Sequence, residues 1–150
     1  MERCPDCGAD QLPESTCQDC FNSLLAFELE HPEAFGAVHH LTVSCFYLQH
    51  PRGYAHATLR AWRDLVAASL DGTMSTQELR DLHGKLFGGA TRMREPGAKP
   101  PAGWPRAWPV TIHEVITPDA VLTSDQYVRR SLEWAAGVRA ALDAADGGQR

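Results

Sequence analysis

The sequence predicts a mainly α-helical fold, a bundle of about five helices carrying a small N-terminal zinc ribbon. Three observations lead there. Four cysteines crowd the first twenty residues in two C-x2-C pairs. Apolar residues then recur at helical spacing in successive segments. One long stretch, 88–109, is too rich in Pro and Gly for regular structure. The boundaries follow: a ribbon over 1–21, a helical domain over 22–145 interrupted by the 88–109 loop, and a tail over 146–150 that frays.

The head reads Cys4-Pro5-Asp6-Cys7-Gly8 and then Cys17-Gln18-Asp19-Cys20, a C-x2-C-x9-C-x2-C spacing. Two residues between cysteines let both sulfurs point inward from one turn, and two such turns supply a tetrahedron of thiolates. Zn2+ takes that arrangement when its role is structural, since four protein ligands leave no open position. Cys4, Cys7, Cys17 and Cys20 are therefore the expected ligands of one structural zinc. Gly8 suits the turn that aims backbone amides at the sulfurs. Disulfides are disfavoured because no charged and apolar leader precedes Cys4. A dithiol redox centre needs a strand ahead of its C-x-x-C, and six residues upstream of Cys7 leave little room for one. Cys45, alone in an apolar stretch, reads as a small buried hydrophobe.

Beyond the second pair, Phe21, Leu24, Leu25 and Leu29 predict a first helix running to His31-Pro32. Phe35 to Pro51 contains no Lys, Arg, Asp or Glu. Val38, Leu41, Cys45 and Leu48 share one helical face, and His39, Val43, Phe46 and His50 share another. A helix apolar on two faces belongs in the middle of a bundle. Ala55 to Leu70 predicts a third helix with Ala55, Leu59, Trp62, Val66 and Ser69 inward. Ser75-Thr76-Gln77-Glu78 has capping-box form and opens a fourth, with Leu79, Leu82, Leu86 and Phe87 inward and Gly88-Gly89 as its stop. Trp104 and Trp108 are expected to pin the following loop to the bundle. Val110 to Ile116 alternates weakly and predicts a short strand or extended segment. Thr123 to Ala145 is the last helix, with Tyr127, Ser131, Trp134, Val138 and Leu142 along one side.

Seven histidines raise the question of a second metal. No pair lies three or four positions apart on one helix, and His39 and His50 are about 16 Å apart along theirs. A site between helices would draw on His40, His50, His56 or His113; otherwise His39, His40 and His50 are buried and hydrogen-bonded. Glu28 and His31 form one Glu-x-x-His, but a di-iron bundle needs it twice. No phosphate loop and no Ser-His-Asp arrangement is readable. Polar groups in an uncharged helix must be satisfied or functional, which makes His40, Gln49 and His50 the candidate catalytic residues if a catalytic site exists.

Charge narrows the partners. Residues 1–34 carry eight acids against one base, Arg3. A thiolate-bound zinc adds negative charge, and such a head repels nucleic acid. Residues 52–106 hold nine bases and five acids, scattered as on a solvated face. No run of eighteen apolar residues occurs, so no membrane span is expected. Reduced cysteines and the missing leader point to the cytoplasm.

The CPxCG knuckle, the segment His39-His40-Leu41-Thr42-Val43-Ser44-Cys45-Phe46-Tyr47-Leu48-Gln49-His50-Pro51, and Trp108 to Ile112 followed by Trp134 resemble an uncharacterised bacterial family of unknown function. Its members share an H-x-L-T-V-x-x-Y-x-x-Q-H-P-like helix. The resemblance spans most of the chain, implies a bacterial intracellular origin and supplies no activity. The reading that follows is a zinc-stabilised module that engages another protein. A metal-dependent enzyme with a His-lined centre between helices is the alternative, and a thiol sensor that expels zinc on oxidation is the third.

Overall fold

The computed structural model describes residues 2–88 and 94–147, apart from the side chains at 87 and 88. The expected places of Phe87 in a helix stripe and of Gly89 in a helix stop lie outside the described residues. The elements run β1 (Glu2–Arg3), β2 (Asp10–Gln11), α1 (Cys17–Glu30), α2 (Pro32–Gln49), α3 (His56–Asp71), α4 (Thr76–Gly88), a 3-10 turn (Ile112–Glu114) and α5 (Ser124–Gly147). The fold is mainly helical, as the periodicity predicts.

Three of the helices, α1, α4 and α5, begin where a side chain takes up an orphan amide. Thr16 and Asp19 form a reciprocal capping box at α1. Ser75 and Glu78 do the same at α4, with Ser75 Oγ accepting from the Glu78 amide at 3.1 Å. Thr123 Oγ1 accepts from the Gln126 amide at 3.1 Å to start α5. Between α1 and α2 the chain breaks at Pro32, which has no N–H to continue α1 and serves as the first turn of α2.

α2 is the centre of the bundle. It packs chiefly against α5 and α3, and also meets α1 and α4. Its buried residues include Val38, Leu41, Val43, Cys45, Phe46 and Leu48, so both faces lie inside. Leu59, Trp62, Leu65 and Val66 of α3 and Tyr127, Trp134, Val138 and Leu142 of α5 close over it. Cys45 is fully buried, as a small hydrophobe in this position should be.

The Pro-rich loop is tied down by its tryptophans. Trp104 donates its indole N–H to the Leu48 carbonyl at 2.8 Å, and Trp108 packs against the same core. Gln49 bridges two elements. It accepts from the Trp134 indole at 3.0 Å and donates to the Val110 carbonyl at 2.7 Å. Gln49 thus ties α2 to α5 and to the 110 segment as a structural hydrogen-bonder.

One expectation is corrected here. Within 110–116, Ile112–Glu114 form a 3-10 turn preceded by an extended Thr111, and no strand forms. Thr111 and Glu114 make another capping box, and with no neighbouring strand to pair, the local hydrogen bonds decide the conformation.

Candidate metal centre

The two short strands pair antiparallel, Glu2 with Gln11 and Arg3 with Asp10, and hold the first knuckle as a hairpin. Inside it the Cys4 amide donates to the Ala9 carbonyl at 2.8 Å and the Gly8 amide to the Cys4 carbonyl at 2.9 Å. Gly8 has φ 78°, and a Cβ there would stand 2.6 Å from the Arg106 carbonyl oxygen. Gly8→Ala combines left-handed strain of about 1–2 kcal/mol with that backbone clash. The expected result is a loss of about 2 kcal/mol or more by denaturant unfolding, together with weaker metal retention.

Cys17 is the first residue of α1, its amide donating to Gln11 Oε1 at 2.8 Å. A helix N-terminus favours a thiolate there. From the opposite side, α2 ends at Gln49 because Pro51 follows, and His50 sits at that end beside the knuckle. Its ring is fixed twice. Nδ1–H donates to the Phe46 carbonyl at 2.7 Å, and the Phe46 ring stacks on it at 4.3 Å. A carbonyl can only accept, so Nδ1 carries a proton and Nε2 is the nitrogen left to face the cysteines. That Nε2 is buried without a hydrogen-bond partner.

The ligand atoms of Cys4, Cys7, Cys17 and His50 all lie within 4.8 Å of one another. Cys7 and Cys17 sulfurs are 3.6 Å apart. Two Zn–S bonds of about 2.3 Å at a tetrahedral angle put sulfurs about 3.8 Å apart, whereas a disulfide needs about 2.05 Å. The donor set fits a metal: three thiolates, one imidazole with the correct nitrogen free, and an outer-shell carbonyl on the other nitrogen. Burial alone lowers the His50 pKa, but the Cys4 and Cys7 sulfurs and the Phe46 carbonyl outweigh it and push it up to about 10. Hydrogen bonds from Cys17 and Cys7 push Cys4 down, and the same contacts push Cys17 up. A proton shared among these groups is what a divalent ion displaces.

The structure brings Cys4, Cys7 and Cys17 together and completes them with His50, where sequence spacing placed Cys20. The Cys20 side chain is fully buried, three residues into α1 from Cys17. Its sulfur lies 3.6 Å from His113 Nδ1 and 4.0 Å from Ser15 Oγ, and burial keeps the thiol protonated by raising its pKa. His113 Nε2 is 3.5 Å from the Cys17 sulfur, so the 3-10 turn wedges one imidazole between these two cysteines. The reason for the exchange is positional. His50 enters from a different element on the open side of the cluster, while Cys20 is one helical turn behind Cys17.

The other histidines divide by place. His40 Nε2 lies 3.2 Å from Ser69 Oγ, deep between α2 and α3. His56 donates to the Lys99 carbonyl at 2.9 Å on the surface. His31 donates to the Phe27 carbonyl at 2.9 Å, so Glu28 and His31 do not converge. The sequence offers His50 only to a separate histidine site between helices, not as a donor beside the cysteines. Its signal was the Gln-His-Pro end of a charge-free helix, which was read as a polar pocket.

A helical bundle with a thiolate–imidazole cluster at one end is therefore the class that fold and site define. The chain belongs to the Family of unknown function (DUF5946), whose sequence profile matches residues 2–143. Comparisons with curated proteins and with solved structures give no match. No helix among the described residues is long and apolar enough to cross a membrane.

Proposed function

We propose that the chain is a zinc-stabilised protein-interaction or regulatory module of the bacterial cytoplasm. One Zn2+ is held by Cys4, Cys7, Cys17 and His50. The carrying observation is the buried, unpartnered Nε2 of His50 facing three cysteines. Four protein ligands leave no position for substrate, so this metal is structural. It staples a head too small to fold alone onto the bundle. The head cysteines already share one core with Phe21, Phe46 and Leu48.

The acidic face of the head is the proposed contact for another protein. Asp6 pairs with Arg52 at 2.5 Å and Asp19 is spent on the Thr16 cap, so neither is a clean probe. Glu2, Glu14 and Glu30 are exposed and carry that role. Elemental analysis of the purified chain is expected to give one zinc. In affinity purification, Glu2→Gln/Glu14→Gln/Glu30→Gln is expected to keep the zinc and lose the specific partner. Retention of every co-purifying protein by that variant sinks the interaction face, and a metal-free wild type sinks the zinc.

A further inference from the structure

A second cluster of chemistry lies away from the cysteines, where α1, α2, α4 and α5 meet. Glu28 of α1 is 1% exposed and receives three donors. Tyr127 O–H donates to its Oε2 at 2.6 Å, Thr42 O–H to the same oxygen at 2.9 Å, and His39 Nδ1–H to Oε1 at 2.7 Å. With Nδ1 committed to the carboxylate, His39 has only Nε2 left to offer. Its ring lies beside that of His83 of α4, with centroids 5.3 Å apart and planes at 76°. His40 follows on the chain, 2% exposed, with Nε2 on Ser69 and a buried Nδ1 that has no hydrogen-bond partner.

Apolar side chains would fill this space at less cost. A buried nitrogen left unpaired forfeits about 1–3 kcal/mol, and a buried carboxylate needs all its donors. Those costs make sense for a metal site. A histidine ligand characteristically gives its other ring N–H to a carboxylate, which sets the tautomer and raises basicity; Glu28 does this for His39. Two imidazoles on one tetrahedral ion, each with a metal–nitrogen bond of about 2.0–2.1 Å, have centroids about 5 Å apart. The His39–His83 separation matches.

We infer that His39 and His83 bind a second divalent transition-metal ion, with Glu28 as the positioning carboxylate for His39. Imidazole donors suit Zn2+, Ni2+, Cu2+ or Fe2+ and not Mg2+ or Ca2+. Among the described residues only the cysteine group already has three or more donor atoms within 4.8 Å. The second ion is therefore held by two protein donors, His39 and His83, while His40 stays on Ser69. Two protein ligands leave positions open to water or to an oxygen-bearing ligand, the coordination of a reactive metal rather than a structural one. His39 is the partly exposed member, its side chain 24% accessible, and provides the way in.

The test is a Co2+ titration of the full chain followed by absorption spectroscopy. The first equivalent is expected to show thiolate charge-transfer bands. A second equivalent is expected to add d–d bands alone. His39→Gln/His83→Ala should lose the second equivalent, at least 100-fold in Kd, and keep the first. Glu28→Gln should weaken the second 10–100-fold, as loss of an outer-shell partner does, with the thiolate bands unmoved. Saturation of the wild type at one Co2+ per chain overturns the inference, as does a second equivalent indifferent to the His39/His83 variant. Absent charge-transfer bands would count against the cysteine centre alone, so the two sites fail separately.

Discussion

Metal retention is expected to survive Cys20→Ser and to be lost in His50→Ala. The first change removes a thiol whose side-chain partners among the described residues are His113 and Ser15, and the second removes the nitrogen that closes the cluster. Cys4→Ser, Cys7→Ser and Cys17→Ser should behave like His50→Ala. Each should lower zinc affinity by about 100-fold or more, beyond the 10–100-fold typical of an outer-shell change. His50→Cys should restore binding, because a thiolate can occupy the same corner. Structural zinc in small domains supplies about 10–16 kcal/mol of apparent binding free energy, and part of that is folding free energy. Loss of even 4 kcal/mol at this size should lower Tm by roughly 10 °C. Chelation of the wild type should reproduce that shift, while Cys20→Ser should stay near wild type. The reverse pattern, metal kept by His50→Ala and lost by Cys20→Ser, would restore the four-cysteine site.

The contrast between Cys20 and His50 shows what sequence spacing can and cannot carry. Local features were legible. The charge-free run from Phe35 to Pro51 identified the central helix, and Ser75-x-x-Glu78 marked the start of α4, because both depend on residues within a turn or two of each other. Trp104 and Trp108 as loop anchors were legible for a similar reason, since large aromatics among prolines have nowhere else to bury. Thr111-x-x-Glu114 was written in the same capping-box code, but the weak alternation of Val110, Ile112 and Ile116 hid it.

Long-range chemistry was not legible. Four cysteines complete a tetrahedron on paper and leave no vacancy for a distant imidazole. Only the fold brings the end of α2 against the knuckle, with the Phe21–Phe46 stack at 4.1 Å holding α1 and α2 together beside it. Distance along a helix also misled. His39 and His50 are too far apart to share one metal, which is correct. Yet each stands in its own cluster, because α2 spans the bundle and meets different neighbours at each end. Glu28, Thr42 and Tyr127 gave no sequence signal, since a buried carboxylate looks like a surface one until its donors are in place.

That carboxylate makes Glu28→Ala the most damaging single change expected in the bundle itself. Burial, and then Glu28, push the Tyr127 phenol well above its ordinary range, so Tyr127 remains a donor and the carboxylate its acceptor. Removing the acceptor strands three donors, Tyr127, Thr42 and His39, and opens a cavity between α1, α2 and α5. Breaking a buried charged network from one side costs about 3–5 kcal/mol, which at this size lowers Tm by roughly 10 °C. Tyr127→Phe removes one donor and keeps the packing, so it should cost about 1.5–3 kcal/mol, the range for hydrogen bonds to a charged group. Glu28→Ala/Tyr127→Phe should then cost less than the two single changes added together, because in the double variant no phenol is left stranded. Urea unfolding of the four species measures that coupling directly. Simple additivity would mean that the 2.6 Å contact carries no interaction energy, and that packing alone holds α5 against α1.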